Sequence, residues 1–291
     1  MRIFALSDLH MDFSENFEWL KQLSDTDYKS DVLITAGDIS HNINELTKVL
    51  KILSSKFNRV FFVPGNHDLW MHNSMWKDSL HKFEAVLDTC TELNICCRPA
   101  KLGENDRNPV WIVPLFSWYT QPGEGEDSLY WEKPGEDSVN RMWSDNYYIK
   151  WPDQFKPAQY FLEMNEEHLQ GSFNSRVISF SHFLPRQEVM FSTGIPPSAG
   201  LIKKYDRRPA FNFSRVAGSS LIEIQLRKID SFIHIHGHQH LNRDMIIHGV
   251  RYISNCFGYP AERRRGQIFN AGLMRIWDTS SEPGSYAGKT E

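Results

Sequence analysis

Cysteine, net charge and long apolar runs are all scarce in this chain, and each shortage removes a class of protein. Only 4 cysteines occur in 291 residues: Cys90, Cys96, Cys97 and Cys256. Their spacing forms no metal knuckle and, without a secretory signal, no disulfide framework. Reduced thiols in a cytoplasmic protein are the expectation. The formal net charge is −4, so the surplus of cations that a general nucleic-acid or acidic-membrane binder needs is missing. No stretch nears the ~18–20 apolar residues of a membrane helix. The opening, MRIFALSDLH, lacks the apolar core and small-residue cleavage site of a signal peptide. No internal repeat is present, and nothing in the pattern specifies an oligomer. What remains is an ordinary globular balance, 41% apolar and 23% charged, enough to bury a large core.

Histidine is what the chain has in excess, 12 residues with a cluster between His234 and His248. Clustered histidine points to metal. Short apolar runs at 2–7, 32–36, 59–63, 110–115, 176–180 and 231–235 end in turn residues and read as buried strands. Between the second and third, Leu46, Val49, Leu50, Leu53 and Phe57 mark one face of a helix over 42–57. Asn42 and Glu45 are spaced there as a capping box. The alternation predicts parallel βαβ units and an α/β fold. Further helices are expected near 75–88, 158–169 and 219–228, closing strands at 245–254 and 267–278, and a disordered tail from Thr279. One domain over 1–278 would carry a Trp-rich insertion at about 117–157, too long for a plain connection and read as a lid or pocket wall.

Metal-competent side chains follow strand ends repeatedly: Asp8 and His10, then Asp38, then Asn66 with His67, then His182, then His238 with His240. Open α/β sheets place their sites at such ends. Singly each is commonplace; Asp38 could cap the next helix, and a lone His182 is more often structural. Together they are hard to explain as surface decoration.

The series Ser7-Asp8-Leu9-His10, Gly37-Asp38, Gly65-Asn66-His67-Asp68, Ser181-His182 and Gly237-His238-Gln239-His240 resembles the signature of the calcineurin-like metallophosphoesterases, over roughly residues 1–258. The resemblance implies a four-layer α/β/β/α sandwich of two mixed sheets flanked by helices, holding two divalent or trivalent transition-metal ions. Asp8, His10 and His240 would bind one metal and Asn66, His182 and His238 the other, with Asp38 bridging. Mixed imidazole and oxygen donors suit Mn, Fe, Zn or Ni better than Mg or Ca. The implied reaction is hydrolysis of a small phosphomonoester or phosphodiester: a metal-bridging water attacks phosphorus and His67 assists the leaving group. Asp68 would orient a neighbouring group or cap the next helix.

The chain departs from the phosphoprotein phosphatase branch. Gly37-Asp38 continues into Ile39-Ser40-His41-Asn42, where that branch carries an acid and a phosphate-gripping arginine. His41, with Arg207 and Arg208 from a basic stretch, is expected to contact substrate instead. Asn255-Cys256-Phe257-Gly258-Tyr259 likewise lacks an arginine that some relatives have. Two rival readings are a catalytically silent metal-binding scaffold and a nuclease. The complete ligand set with His67 weighs against the first, and the lack of a basic stripe against the second.

Overall fold

The computed structural model describes residues 1–72, 75–198, 200–201, 206 and 208–281. Alternation along the first strands sets its layers. On β1 (Arg2–Leu6), Ile3 and Ala5 join the cluster between two sheets, while Phe4 and Leu6 face a second cluster beneath helices. β2 (Val32–Ala36) and β3 (Arg59–Val63) divide their side chains in the same way. Strands buried on both faces belong in the middle of a layered fold.

The remaining strands are β4 (Ala100–Leu102), β5 (Val110–Pro114), β6 (Arg176–Phe180), β7 (Ser231–His236), β8 (Arg243–Ile247), β9 (Val250–Ser254) and β10 (Met274–Asp278). One sheet has the order β10-β1-β2-β3 and the other β4-β5-β6-β7-β9-β8. Their central pairs are parallel, and β10, β4 and β8 are added antiparallel at edges. Helices α1 (Ser14–Gln22), α2 (Ile43–Lys56) and α3 (Ser79–Glu92) cover the first sheet through Leu20, Leu50, Leu53 and Val86. Helices Pro157–Glu166 and Ser220–Lys228 contact each other, and the second packs on β7. The expected sandwich of two mixed sheets flanked by helices is therefore realised.

Local differences have local causes. Asn42 does cap α2, accepting from the N–H groups of Asn44 and Glu45 at 2.9 and 3.4 Å. The Glu45 carboxylate instead accepts from the Ser40 hydroxyl, so only half of the capping box forms. The helix expected at 75–88 runs from Ser79 to Glu92 because Asp78 caps it, accepting from the His81 N–H at 2.8 Å. The single strand expected at 245–254 is a hairpin, β8 and β9, reversed at His248-Gly249, both with positive φ (47° and 82°); two such residues make a tight hairpin turn. Of the strand expected at 267–278, only β10 forms. Of the tail expected from Thr279, Thr279 itself is buried and its N–H donates to the Met1 carbonyl, while 282–291 lie outside the described residues. No helix among the described residues is long and apolar enough to cross a membrane.

Candidate metal centre

The C-terminal ends of β1, β2, β3, β6 and β7 meet at one edge of the sandwich, and the expected donors leave them on unusual backbone. Asp8, His10, Asp38, His238 and His240 all have left-handed φ, between 42° and 74°. Residues with a Cβ adopt that region at a cost of roughly 1–2 kcal/mol each. Backbone bonds hold the loops there: His10 N–H donates to the Asp38 carbonyl, Asp8 N–H to that of Gly37, and Gly258 N–H to that of Asp8, at 2.8–3.0 Å. Asp68 locks two loops together. Its buried carboxylate accepts from the N–H groups of Asp38, Ile39, Ser40 and Gly65 at 2.8–3.0 Å. Those four bonds occupy its acceptor capacity, so of the two roles expected of it Asp68 takes the orienting one and shapes the Asp38 loop, while Asp78 caps the helix that follows. Glycine is required at Gly37 and Gly65 because a Cβ there would collide with His182 and with the Asp38 carboxylate.

One donor group is anionic. Ligand atoms of Asp8, His10, Asp38 and His240 lie within 4.8 Å of one another. His240 Nδ1 lies 2.8 Å from Glu262 Oε2, while its Nε2 faces His10 Nε2 at 2.9 Å and Asp8 Oδ1 at 3.4 Å. Burial disfavours charge on His240, but Asp8 and Glu262 outweigh it and lift the ring to about 10. Burial, reinforced by His240, pushes His10 down to about 3. Of the two facing rings, His240 is thus the one on which charge is favoured. Burial, with repulsion from Asp68 and Asp8, holds the Asp38 carboxyl well above the usual range. Converging imidazole nitrogens and carboxylates are what a cation site offers.

The other donor group is neutral. His182 Nδ1 donates to the Ala36 carbonyl at 2.8 Å, and His238 Nε2 donates to the Val216 carbonyl at 2.9 Å. These bonds fix both tautomers. His182 Nε2 and His238 Nδ1 therefore turn bare lone pairs toward each other at 3.2 Å, each 3.1 Å from Asn66 Oδ1. Burial lowers both rings, so no proton relieves this meeting of three acceptors. A transition-metal ion fits such a donor set. Asp38 Oδ2 lies 3.5 Å from His182 Nε2, which puts Asp38 between the two groups.

Other side chains enclose these donors. The His67 N–H donates to Asp38 Oδ1 at 2.9 Å, its ring stacks on Trp70 at 3.6 Å, and its Nε2 lies 3.4 Å from the Tyr259 hydroxyl. Burial, then His10 and His240, hold His67 well below its usual value, so the ring is neutral at pH 7. A cavity of about 250 Å³ above the donors is walled by Trp70, Trp143, Arg208 and Tyr259. It shares Arg208, Phe211, Phe213 and Tyr259 with a cavity of about 1060 Å³ that continues past Trp131, Phe191 and Leu241. The Trp-rich stretch thus supplies wall residues to both.

Two expected substrate contacts fare differently. Arg208 stands at the junction of the cavities. His41 is not brought to the donors: its Nδ1 pairs with Asp12 at 2.9 Å, and it lines a separate cavity with His72 and Trp76. Arg207 lies outside the described residues. Sequence reading missed Asp145, Tyr259 and Glu262. Tyr259 stood inside a segment already singled out, whereas Asp145 and Glu262 carried no local signal.

The family model described as calcineurin-like phosphoesterase matches residues 1–273. The [acyl-carrier-protein] phosphodiesterase PptH of Mycobacterium tuberculosis is 24% identical over 295 residues, covering 97% of this chain and 85% of that protein. The crystal structure of the phosphopantetheinyl hydrolase PptH from the same organism superposes with a TM-score of 0.70 at 21% identity, covering 97% of this chain and 98% of that one. That likeness is one of fold.

Proposed function

Because this chain belongs to the calcineurin-like phosphoesterase family, we propose that it is a two-metal phosphodiesterase cleaving a diester between a carrier protein and a long organic arm, the chemistry named for PptH. The observation carrying this reading is the cavity of about 1060 Å³ that opens from the donor pocket. A phosphomonoester needs far less room, and drug-sized ligands occupy pockets of roughly 300–1,000 Å³. Its walls at Trp131, Phe191, Phe211 and Phe213 suit a neutral alkyl-amide arm. The small ester expected from sequence gives way to a larger substrate.

In this reading Asp8, His10 and His240 would hold one ion and Asn66, His182 and His238 the other, with Asp38 available to both. Mn, Fe, Zn or Ni would suit these donors, and when bound would supply charge neutralisation at phosphorus and an activated water. His67 offers a neutral ring N–H to the leaving oxygen, with the Tyr259 hydroxyl beside it. The Arg208 guanidinium grips a phosphate oxygen at the cavity junction. All four cysteines are free, which supports a cytoplasmic setting.

The test uses protein stripped of metal and reloaded with Mn²⁺. It is expected to hydrolyse bis-p-nitrophenyl phosphate faster than p-nitrophenyl phosphate, and to release the arm phosphate from a phosphopantetheinylated carrier protein. A carrier left intact by protein that turns over the simple diester would refute the substrate class. No turnover of any ester with both metals bound would refute the hydrolase reading.

A further inference from the structure

Trp143 of the Trp-rich stretch packs edge-on against the His238 ring at 5.5 Å, and the stretch hydrogen-bonds to a donor through Asp145, which opens the short helix Asp145–Tyr148 and is buried. Its Oδ1 accepts from Asn66 Nδ2 at 2.8 Å and from Trp70 Nε1 at 2.6 Å. Its Oδ2 accepts from the Tyr119 hydroxyl at 3.2 Å, which in turn accepts from Trp143 Nε1. The flanking chain is pinned to the segment that follows Asn66. Met71 N–H donates to the Tyr148 carbonyl and Ser79 N–H to the Lys150 carbonyl, both at 2.7 Å. The carboxylate cannot drift from Asn66 without breaking these bonds.

An amide side chain has two faces that differ only in chemistry: one donates, the other accepts. In the metal-free site, Asn66 would gain by turning its NH₂ group toward the facing lone pairs of His182 and His238. That orientation presents no ligand oxygen. A carboxylate accepts and cannot donate, so Asp145 forces Nδ2 toward itself and Oδ1 toward the histidines. We infer that Asp145 is a positioning residue that holds Asn66 in its ligating orientation, which makes the Trp-rich stretch part of the second metal site and not only a wall of the substrate cavity. The inference rests on the two-metal reading above for the identity of what Asn66 ligates.

Asp145→Leu removes the acceptor at similar volume. Second-metal affinity, read by chelator competition, is expected to fall ~10–100-fold, the usual effect of losing a partner behind a ligand, while the first metal stays within about threefold. Asp145→Asn keeps an acceptor oxygen for Asn66 and should hold the second metal within about fivefold. Wild-type affinity in the leucine variant overturns the inference. So does equal loss in both variants, which would assign the effect to charge. Should the leucine variant not fold, Asn66→Asp decides. A carboxylate is intrinsically the better ligand, yet its second oxygen would face Asp145, so weaker binding at pH 8 is expected and tighter binding overturns. The side-chain NH₂ resonances of Asn66 in metal-free protein give a readout independent of loading, and they should move in Asp145→Asn or Asp145→Leu; unmoved resonances overturn the inference. A wild-type protein that binds one metal would refute the two-metal reading while leaving this last measurement decisive for Asp145.

Discussion

The two donor groups sit side by side and share Asp38, yet they are assembled on opposite principles. Asp8, His10 and His240 gather charge. Asp8, though buried, is held as a carboxylate by the neighbouring His240, Glu262 backs His240 at 2.8 Å, and His10 Nδ1 has no hydrogen-bond partner among the described residues. Asn66, His182 and His238 carry no charge, but each remote nitrogen is engaged, by Asp145, Ala36 and Val216. The first group attracts a cation by field, and its His10 ring is held by packing against His67, His240 and Tyr259. The second attracts it by three lone pairs aimed in advance. Geometry therefore matters more at the second group, and proton competition matters more at the first.

The largest expected effect erases the comparison altogether. Asp38→Asn removes the anion common to both groups. Metal analysis should find both sites depleted and kcat/KM should fall at least ~10³-fold, since several kcal/mol of metal-borne stabilisation is lost. One fully loaded site would remove Asp38 from the bridging position. Next in size, His67→Ala should lower kcat by ~10²–10³-fold, within the range for proton-transfer groups. Both metals should stay, because His67 lends the donors only a backbone N–H. Unchanged turnover would leave that ring without a catalytic part.

The comparison is sharpened by pH. His240 is lifted to about 10, so below that value a metal entering the first group must displace a proton, and its affinity should rise with pH, by ~10²-fold across two units. His182 and His238 are lowered from their usual 6.5. They are already deprotonated at neutral pH, so second-group affinity should rise less steeply from pH 7 to 9, through the shared Asp38 alone. Site-resolved titration showing equal slopes would contradict the distinction. The smallest change is expected from Glu262→Gln, which keeps a hydrogen bond to His240 but loses charge. First-group affinity should drop ~10-fold with the second group unaffected; loss at the second group alone would reverse the assignment.

Much of this architecture was legible in the sequence because the information was local. The β1–β2–β3 series follows from short continuous apolar runs bounded by turn residues and α2 from a period-3.6 face, and the donors stand directly after strands. Unreadable parts depend on distance along the chain. Asp145 lies 79 residues from Asn66, inside a stretch with no periodicity. Glu262 lies 22 residues past its histidine. For His41 the position next to the Asp38 loop is visible in the sequence, whereas its pairing with Asp12 is not. The β8–β9 hairpin did carry a signal, Gly249, but it was hidden inside a continuous apolar run.

Five donors held on backbone that glycine would fill at lower cost leave the metal-free chain the least stable form of this protein. An ion that binds only the folded chain adds stability by mass action, about 2.7 kcal/mol at a hundredfold excess over Kd. Cellular proteases sample unfolded chains, so that margin sets how long each copy survives. Metal supply is then expected to set abundance as well as turnover: copies left unloaded should be cleared faster than loaded ones, with no change in synthesis.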